Sequence, residues 1–224
     1  MTEHAAARAW TGRAAERSPA VQRSRNRTIA QAQHIVKAAE HLLETQGGHF
    51  TTQQLVREAG VALQTFYRCF AGKDELLLAV LEDLIAQGAH DMARLAEDID
   101  DPLARLRFFV TWPIELLEDN AAANKVVTAE HWRLHQLYPE DVARATQHFS
   151  DLIEPEIEAA ARAGVLSPVD PPRDAAMITK LVMAMVHHYA FTGLGDGVDV
   201  VTDHLWRFLL AALGGSTDAA IGNG

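Results

Sequence analysis

An all-α protein is predicted, with a three-helix unit near the N-terminus and a larger helical body behind it, on three observations. Long segments place apolar residues three or four positions apart, and no stretch sustains the alternation of a half-buried strand. Gly, Pro and Asp/Asn clusters separate those segments. Between residues 52 and 70, two short helical segments flank a tight Gly-containing turn.

Taken in order, residues 1–23 are rich in Ala and Arg without periodicity and are assigned to a disordered extension. The first helix is expected from about Thr28 to Thr45, with Ile29, Ala32, Val36, Ala39, Leu42 and Leu43 on one side, stopping at Gly47-Gly48. A short helix over 52–59 follows, because Thr51 can cap it and Gln54, three positions on, completes a capping box. Gly60 ends it. A second short helix is read over 63–70, and a long one from Lys73 to about Ala96.

Asp101-Pro102 starts a helix of about 103–118, the proline sitting where its missing N–H is harmless. Pro113 removes a hydrogen bond inside it, so a kink is expected near Phe109 to Pro113. Further helices are read at 121–137, at 140–163 (bent or interrupted at Pro155 and closed by Gly164), at 173–193 and at 198–213. The last two are apolar on more than one face, so one face fills a core and the other calls for a second partner, most simply a symmetry-related copy. The plainer alternative is a two-sided core helix. Residues 214–224 are assigned to a flexible tail, and the domains to 24–75 and 76–213.

Composition narrows the function classes. With 224 residues, 48% hydrophobic and 22% charged, the chain is in the ordinary globular range, and a chain of this size buries roughly 70% of its unfolded surface. The single cysteine, Cys69, forms no internal disulfide and no Cys/His zinc spacing occurs, which suits a reducing cytoplasm. The first 27 residues lack the apolar core of a secretory signal. Leu181 to Gly195, the longest uncharged stretch of the apolar C-terminal part, falls short of the roughly 20 residues that span a bilayer, so no membrane helix is assigned. The net charge of −10 hides an asymmetry: residues 1–75 hold ten Lys/Arg against seven Asp/Glu, and residues 76–224 hold ten against twenty-three. A mildly basic end on an acidic body suits a protein whose one end meets phosphates.

Two short helices across a tight turn, behind a longer supporting helix, make the pattern of a helix-turn-helix. The second helix would enter the major groove, where base edges are distinguished by their donors and acceptors. Gln64 can make paired hydrogen bonds to a base, Thr65 can reach a base or phosphate, and Tyr67 sets a hydroxyl at backbone height. The run Gly60-Val61-Ala62-Leu63-Gln64-Thr65-Phe66-Tyr67-Arg68-Cys69-Phe70, then Gly72-Lys73-Asp74-Glu75-Leu76-Leu77, resembles the DNA-binding signature of the TetR family of bacterial transcriptional repressors. The similarity extends upstream through Thr51 to Ala59 and covers roughly residues 28–80. Ala62 stands where a capping serine is usual, and Cys69 where a tyrosine or histidine is common.

That resemblance implies a homodimer binding a palindromic double-stranded operator and a C-terminal body that takes a small-molecule effector and dimerises through helices 173–193 and 198–213. It implies that Thr51 and Thr52 face phosphates, that Gln64 and Thr65 read bases, that Tyr67 bonds a phosphate, and that Lys73 adds charge and a backbone N–H to another. Phe66, Phe70, Val61 and Leu55 would form the mini-core. The plainer alternatives are a Tyr67 ring that covers the mini-core and a solvated Lys73; the six arginines from Arg8 to Arg27 are read as a solvated tail, against an arm that follows the DNA backbone or a minor groove.

Eleven histidines raise a metal or catalytic alternative, and His131 and His135 lie one helical turn apart beside Glu130. The order Glu-His-Trp-Arg-Leu-His lacks the zincin arrangement, with its glutamate between the ligands. A metal-dependent helical enzyme using His131, His135 and His187 or His188 is therefore the second reading. No nucleophile-base motif, phosphate loop or dinucleotide fingerprint supports catalysis, and no cofactor or metal is assigned. The first reading places Phe108, Trp112, His131, Trp132, His135, Met183, His187 and Tyr189 around an effector pocket, apolar walls with few polar groups being what such a site needs. The same stripe at helical spacing also describes ordinary core.

Overall fold

The computed structural model describes residues 18–46, 50–118 and 121–215, and among them all regular structure is helical. The chain divides into two compact units, Met1–Val80 and Leu81–Gly224. Residues 1–17 of the expected extension, Gly47-Gly48 and residues 216–224 of the expected tail lie outside the described residues.

In the N-terminal unit, α1 runs Pro19–Gln46, α2 Thr52–Glu58 and α3 Leu63–Cys69; the first turns of α4 (Lys73–Leu95) complete it. Helix α1 begins well before the expected Thr28, taking in residues that the sequence assigns to an extension. Pro19 loses no hydrogen bond at a first helical position, and Gln22 N–H donates to Ser18 O (2.9 Å). The early turns are exposed on every side, Ile29 included, so no apolar period marks them. Burial starts with Ile35, Val36, Ala39, Leu42 and Leu43.

Helix α2 is fixed at both ends by its own sequence. The Thr51 hydroxyl accepts from Gln54 N–H (3.2 Å) while the Gln54 side chain accepts from Thr51 N–H (2.7 Å), the expected capping box. At its other end Gly60 N–H donates to Arg57 O (3.1 Å) and Val61 N–H to Val56 O (3.0 Å), the paired bonds of a Schellman motif, with Gly60 at φ 58°. A Cβ at Gly60 would meet nothing within 4 Å, so the cost of adding one is conformational alone. Gly60→Ala is expected to lower the stability of this unit by about 1 kcal/mol. Gly72→Ala, at a glycine with neither positive φ nor a crowding neighbour, should change it by under about 0.5 kcal/mol. Urea titrations of both variants check the pair, and equal midpoints would refute the role of Gly60.

In the C-terminal unit, the rest of α4 is joined by α5 (Pro102–Glu115), α6 (Ala121–Leu137), α7 (Pro139–Arg162), α8 (Pro171–Thr192) and α9 (Val198–Ala212). Asp101 caps α5 by accepting from Leu103 N–H (3.4 Å) and Ala104 N–H (3.1 Å). That helix passes through Pro113 and closes at Glu115, short of the expected 118. There the Asn124 side-chain amide donates to Leu116 O (3.2 Å) and Leu117 O (3.4 Å), serving carbonyls that a further turn would have used. Helix α7 is continuous through Pro155. Gly164 and Gly214 close α7 and α9 with the same Schellman pairs as Gly60, so Gly214 and Gly215, expected in the tail, belong to the cap of α9.

The core of this unit is a single apolar cluster built around Leu106, Val110 and Ile114 of α5, Ile157 of α7, Ala175 of α8 and Leu210 of α9. Inside it, the Thr179 hydroxyl gives its one proton to Ala175 O (2.9 Å), so the 3.0 Å contact with Ser150 has Ser150 as donor, and this buried pair ties α7 to α8. The expected two-sidedness of the last helices is seen. Ile178, Val182, Leu205 and Leu209 are buried, while Met177 and Phe191 of α8 and Val200 and Phe208 of α9 are exposed, Phe208 at 59%.

Candidate functional site

The N-terminal unit displays one face of α3. Phe66, 1% exposed, turns inward with Phe70 (ring centroids 6.0 Å apart), which leaves Leu63, Gln64, Tyr67 and Arg68 outward at the one-and-four spacing of a helical face. Tyr67 is 57% exposed and touches the Phe66 ring edge-on at 5.1 Å, so the ring leans on the mini-core while much of the residue stays in solvent. Thr65 is half-buried. Ala62 gives α3 no side-chain cap.

The placement of α2 and α3 comes from α1. The His34 imidazole Nε2 lies 2.8 Å from Ala59 O, and Arg68 Nη2 donates to Gln31 Oε1 at 2.7 Å. Arg68 was not selected from the sequence, although its place four residues after Gln64 puts it on the same helical face.

Two other expected contact residues are engaged locally. The Thr51 hydroxyl lies within the capping box, 2.9 Å from Gln54 Oε1 as well as accepting from its N–H, so its proton already has a partner. Lys73 Nζ donates to Phe50 O (2.7 Å) and lies 4.3 Å from the Phe50 ring centroid. Its ammonium thus fastens the start of α4 to the segment before α2. Thr52, the first residue of α2, is half-buried.

Among the cavities that the described residues of the C-terminal unit enclose, two adjoin each other. One, of about 240 Å³, is lined by Leu81, Leu84, Ile85 and Met92 of α4, Trp112 of α5, Thr128 of α6 and Phe149 of α7, among others. The second, of about 180 Å³, is lined by Trp132, His135, Thr146 and Lys180. His131, Met183 and His187 belong to both linings and so form the wall between them.

The wall is a histidine pair. His187 Nε2 and His131 Nδ1 are 2.9 Å apart and the rings meet edge-on, with Trp132 edge-on to His187 and stacked on His135. His131 is 6% exposed, and its imidazole is pushed down to about 4, by burial first and by His187 and His135 next. Burial, then His135, also lowers His187. Both rings are therefore neutral at pH 7, and the 2.9 Å contact is one N–H donating to one lone pair.

Six of the eight expected pocket residues line these two cavities. The exceptions are Phe108, whose ring packs on the core beside Phe109 and Trp112 (centroids 5.9 and 6.1 Å), and Tyr189, which lines a separate hollow with Phe191 and Leu194 near the end of α8. Sequence periodicity records which residues share a side of one helix and not which cavity several helices enclose. For the same reason Thr128 and the α4 leucines were missed. No group of three or more His, Cys, Asp or Glu side chains is placed to hold a metal among the described residues, and no helix there is long and apolar enough to cross a membrane.

Residues 35–80 match the family model described as bacterial regulatory proteins, tetR family. Over 196 residues the chain is 26% identical to the nucleoid occlusion factor SlmA of Photobacterium profundum, covering 84% of this chain and 98% of that protein. It is similar in structure to the transcriptional regulator FadR from Bacillus subtilis in complex with stearoyl-CoA, at 16% identity and a TM-score of 0.62 over 80% of this chain and 98% of that one. It is also similar to RolR in complex with resorcinol, at 14% identity and a TM-score of 0.64 over 87% and 93% of the two chains.

Proposed function

We propose, on the premise that this chain belongs through residues 35–80 to the tetR family of bacterial regulatory proteins, that it represses transcription as a homodimer on a palindromic operator in the cytoplasm. A small, largely apolar effector entering the C-terminal unit releases it. The observation that carries this reading is the α3 face, where Gln64, Tyr67 and Arg68 stand outward from a helix held by a buried Phe66. Exposed polar side chains gathered on one face, with Arg68 also bonded back to Gln31 of α1, fit a helix made to lie in a groove.

Dimerisation is supported by the exposed Met177, Phe191, Val200 and Phe208, because apolar surface of this kind on two consecutive helices is what an isologous interface covers. Two such units must match half-sites about one turn of DNA apart, or a multiple of it. Helix α4 gives Leu76 and Leu77 to the buried set of the N-terminal unit and Leu81, Leu84 and Ile85 to the cavity wall. A ligand filling that cavity better in a non-matching spacing shifts the balance through this one helix, a coupling of about 1–3 kcal/mol. The named structural neighbours hold an acyl thioester and a diphenol, which supports a small-molecule effector without selecting its class. Catalysis is not favoured: the wall histidines bond to one another and are read as effector contacts.

A selected palindromic duplex titrated at several salt concentrations tests the reading. Affinity should fall steeply with salt as phosphate contacts release counterions. Gln64→Ala should cost about 1–3 kcal/mol at one base position only, and Tyr67→Phe should weaken all sequences alike. Binding that ignores salt, or equal effects of the two variants on every sequence, would refute it.

A further inference from the structure

We propose that the effector is a neutral molecule with an apolar body and a hydroxyl group, and that the His131–His187 pair selects that hydroxyl. The inference deepens the effector reading above and rests on it. Three observations carry it.

The first is the hydrogen-bond inventory of the pair. With one N–H donating across the 2.9 Å contact, each neutral tautomeric arrangement leaves one outer nitrogen as a donor and the other as an acceptor. If His187 Nε2 carries the shared proton, His131 Nε2 is the remaining donor and His187 Nδ1 the remaining acceptor; in the reverse arrangement these roles exchange. A ligand hydroxyl both donates and accepts, so it is matched at whichever outer nitrogen it meets.

The second is charge. The lining of the 240 Å³ cavity includes no Lys or Arg, and its side chains with hydrogen-bonding groups are Trp112, Asn124, Thr128, His131 and His187. The Asn124 amide is already directed to Leu116 O and Leu117 O. A carboxylate would lie among leucines and aromatics without a cation, a costly burial unless the pair gained a proton. The same burial holds both imidazoles in the neutral form.

The third is size and layout. A cavity of about 150 Å³ accepts benzene, so about 240 Å³ admits a ring with a short alkyl chain. Thr128 precedes His131 by one turn of α6, and both line this cavity with His187 of α8; besides the indole N–H of Trp112 on α5, its remaining polar groups come from these two helices, while α4 gives it Leu81, Leu84 and Ile85. The apolar body would lie against α4 and the hydroxyl against the pair.

Calorimetric titration of the full chain at pH 7.5 with 4-butylphenol, 4-butylbenzoate and butylbenzene tests the assignment. The phenol should bind about tenfold more tightly than either analogue, the size of one well-made buried hydrogen bond. In His187→Leu, the phenol and butylbenzene should converge. A benzoate or butylbenzene that equals the phenol in the unaltered protein, or no binding by any of the three, overturns the proposal, and this comparison decides even if His187→Leu fails to fold. A phenol preference undiminished in folded His187→Leu overturns the role of the pair. None of these outcomes bears on the duplex titration, so the DNA-binding reading and the ligand class fail separately.

Discussion

Phe66→Ala is expected to abolish duplex binding by unfolding the N-terminal unit while the C-terminal unit keeps its helices. Phe66 is the side chain around which α3 is seated: it is 1% exposed, in contact with Phe70 and Tyr67, and among the largest fully buried groups of the chain. Removing a buried phenylalanine costs about 3–5 kcal/mol through lost transfer free energy and the cavity left behind. A unit of this size has little more than that in total. The C-terminal unit has its own apolar cluster, which contains no residue of the first. Circular dichroism with urea would show an early transition lost and a later one retained, and the duplex titration would show no specific binding. A variant that binds as tightly as the unaltered protein would show that α3 is held by something other than this ring.

Acid should destabilise the C-terminal unit before its carboxylates are titrated. The unfolded chain takes up a proton at His131 as the pH falls past 6.5, whereas the native imidazole resists until about 4. The stabilisation is therefore complete above 6.5 and is lost between 6.5 and 4, the direction for a group whose folded pKa is depressed. At pH 5 the loss from His131 is about 2 kcal/mol, and the lowered His187 acts in the same sense. Urea unfolding at pH 7 and pH 5 measures the difference. In His131→Leu the change between the two pH values should shrink by about that amount, because the proton-binding site is gone. Identical changes in the two proteins would mean that the pair is solvated in the native state.

The turn chemistry was legible because it is local. Thr51 with Gln54 and Gly60 with Val61 act within a few residues, so their spacing alone foretold a helix start and a helix stop, and the hydrogen bonds are where that spacing puts them. The same holds for Asp101-Pro102. The start of α1 was not legible, because Pro19 and the exposed turns after it carry no apolar period, and helix-forming residues without a buried stripe look like an extension. The end of α5 was missed because it depends on a side chain from the next helix, Asn124, reaching back to its carbonyls.

The candidate sites divide along the same line. Gln64 and Tyr67 were identifiable, since one short helix with one buried aromatic fixes which residues face outward. Lys73 and Thr51 were identifiable as positions, but their engagement with Phe50 and Gln54 was settled by folding. The separation of Phe108 and Tyr189 from the two cavities, and the meeting of His131 with His187 across 56 positions of sequence, came only from the packing of α6 against α8. By itself the sequence determined the order of the helices, the caps at Thr51, Gly60 and Asp101 and the outward face of α3, because those follow from periodicity and from bonds spanning one turn. The tertiary structure decided the cavities, the neutral histidine wall and its acid sensitivity, because burial and imidazole pairing arise from distances between helices that no single-helix pattern encodes.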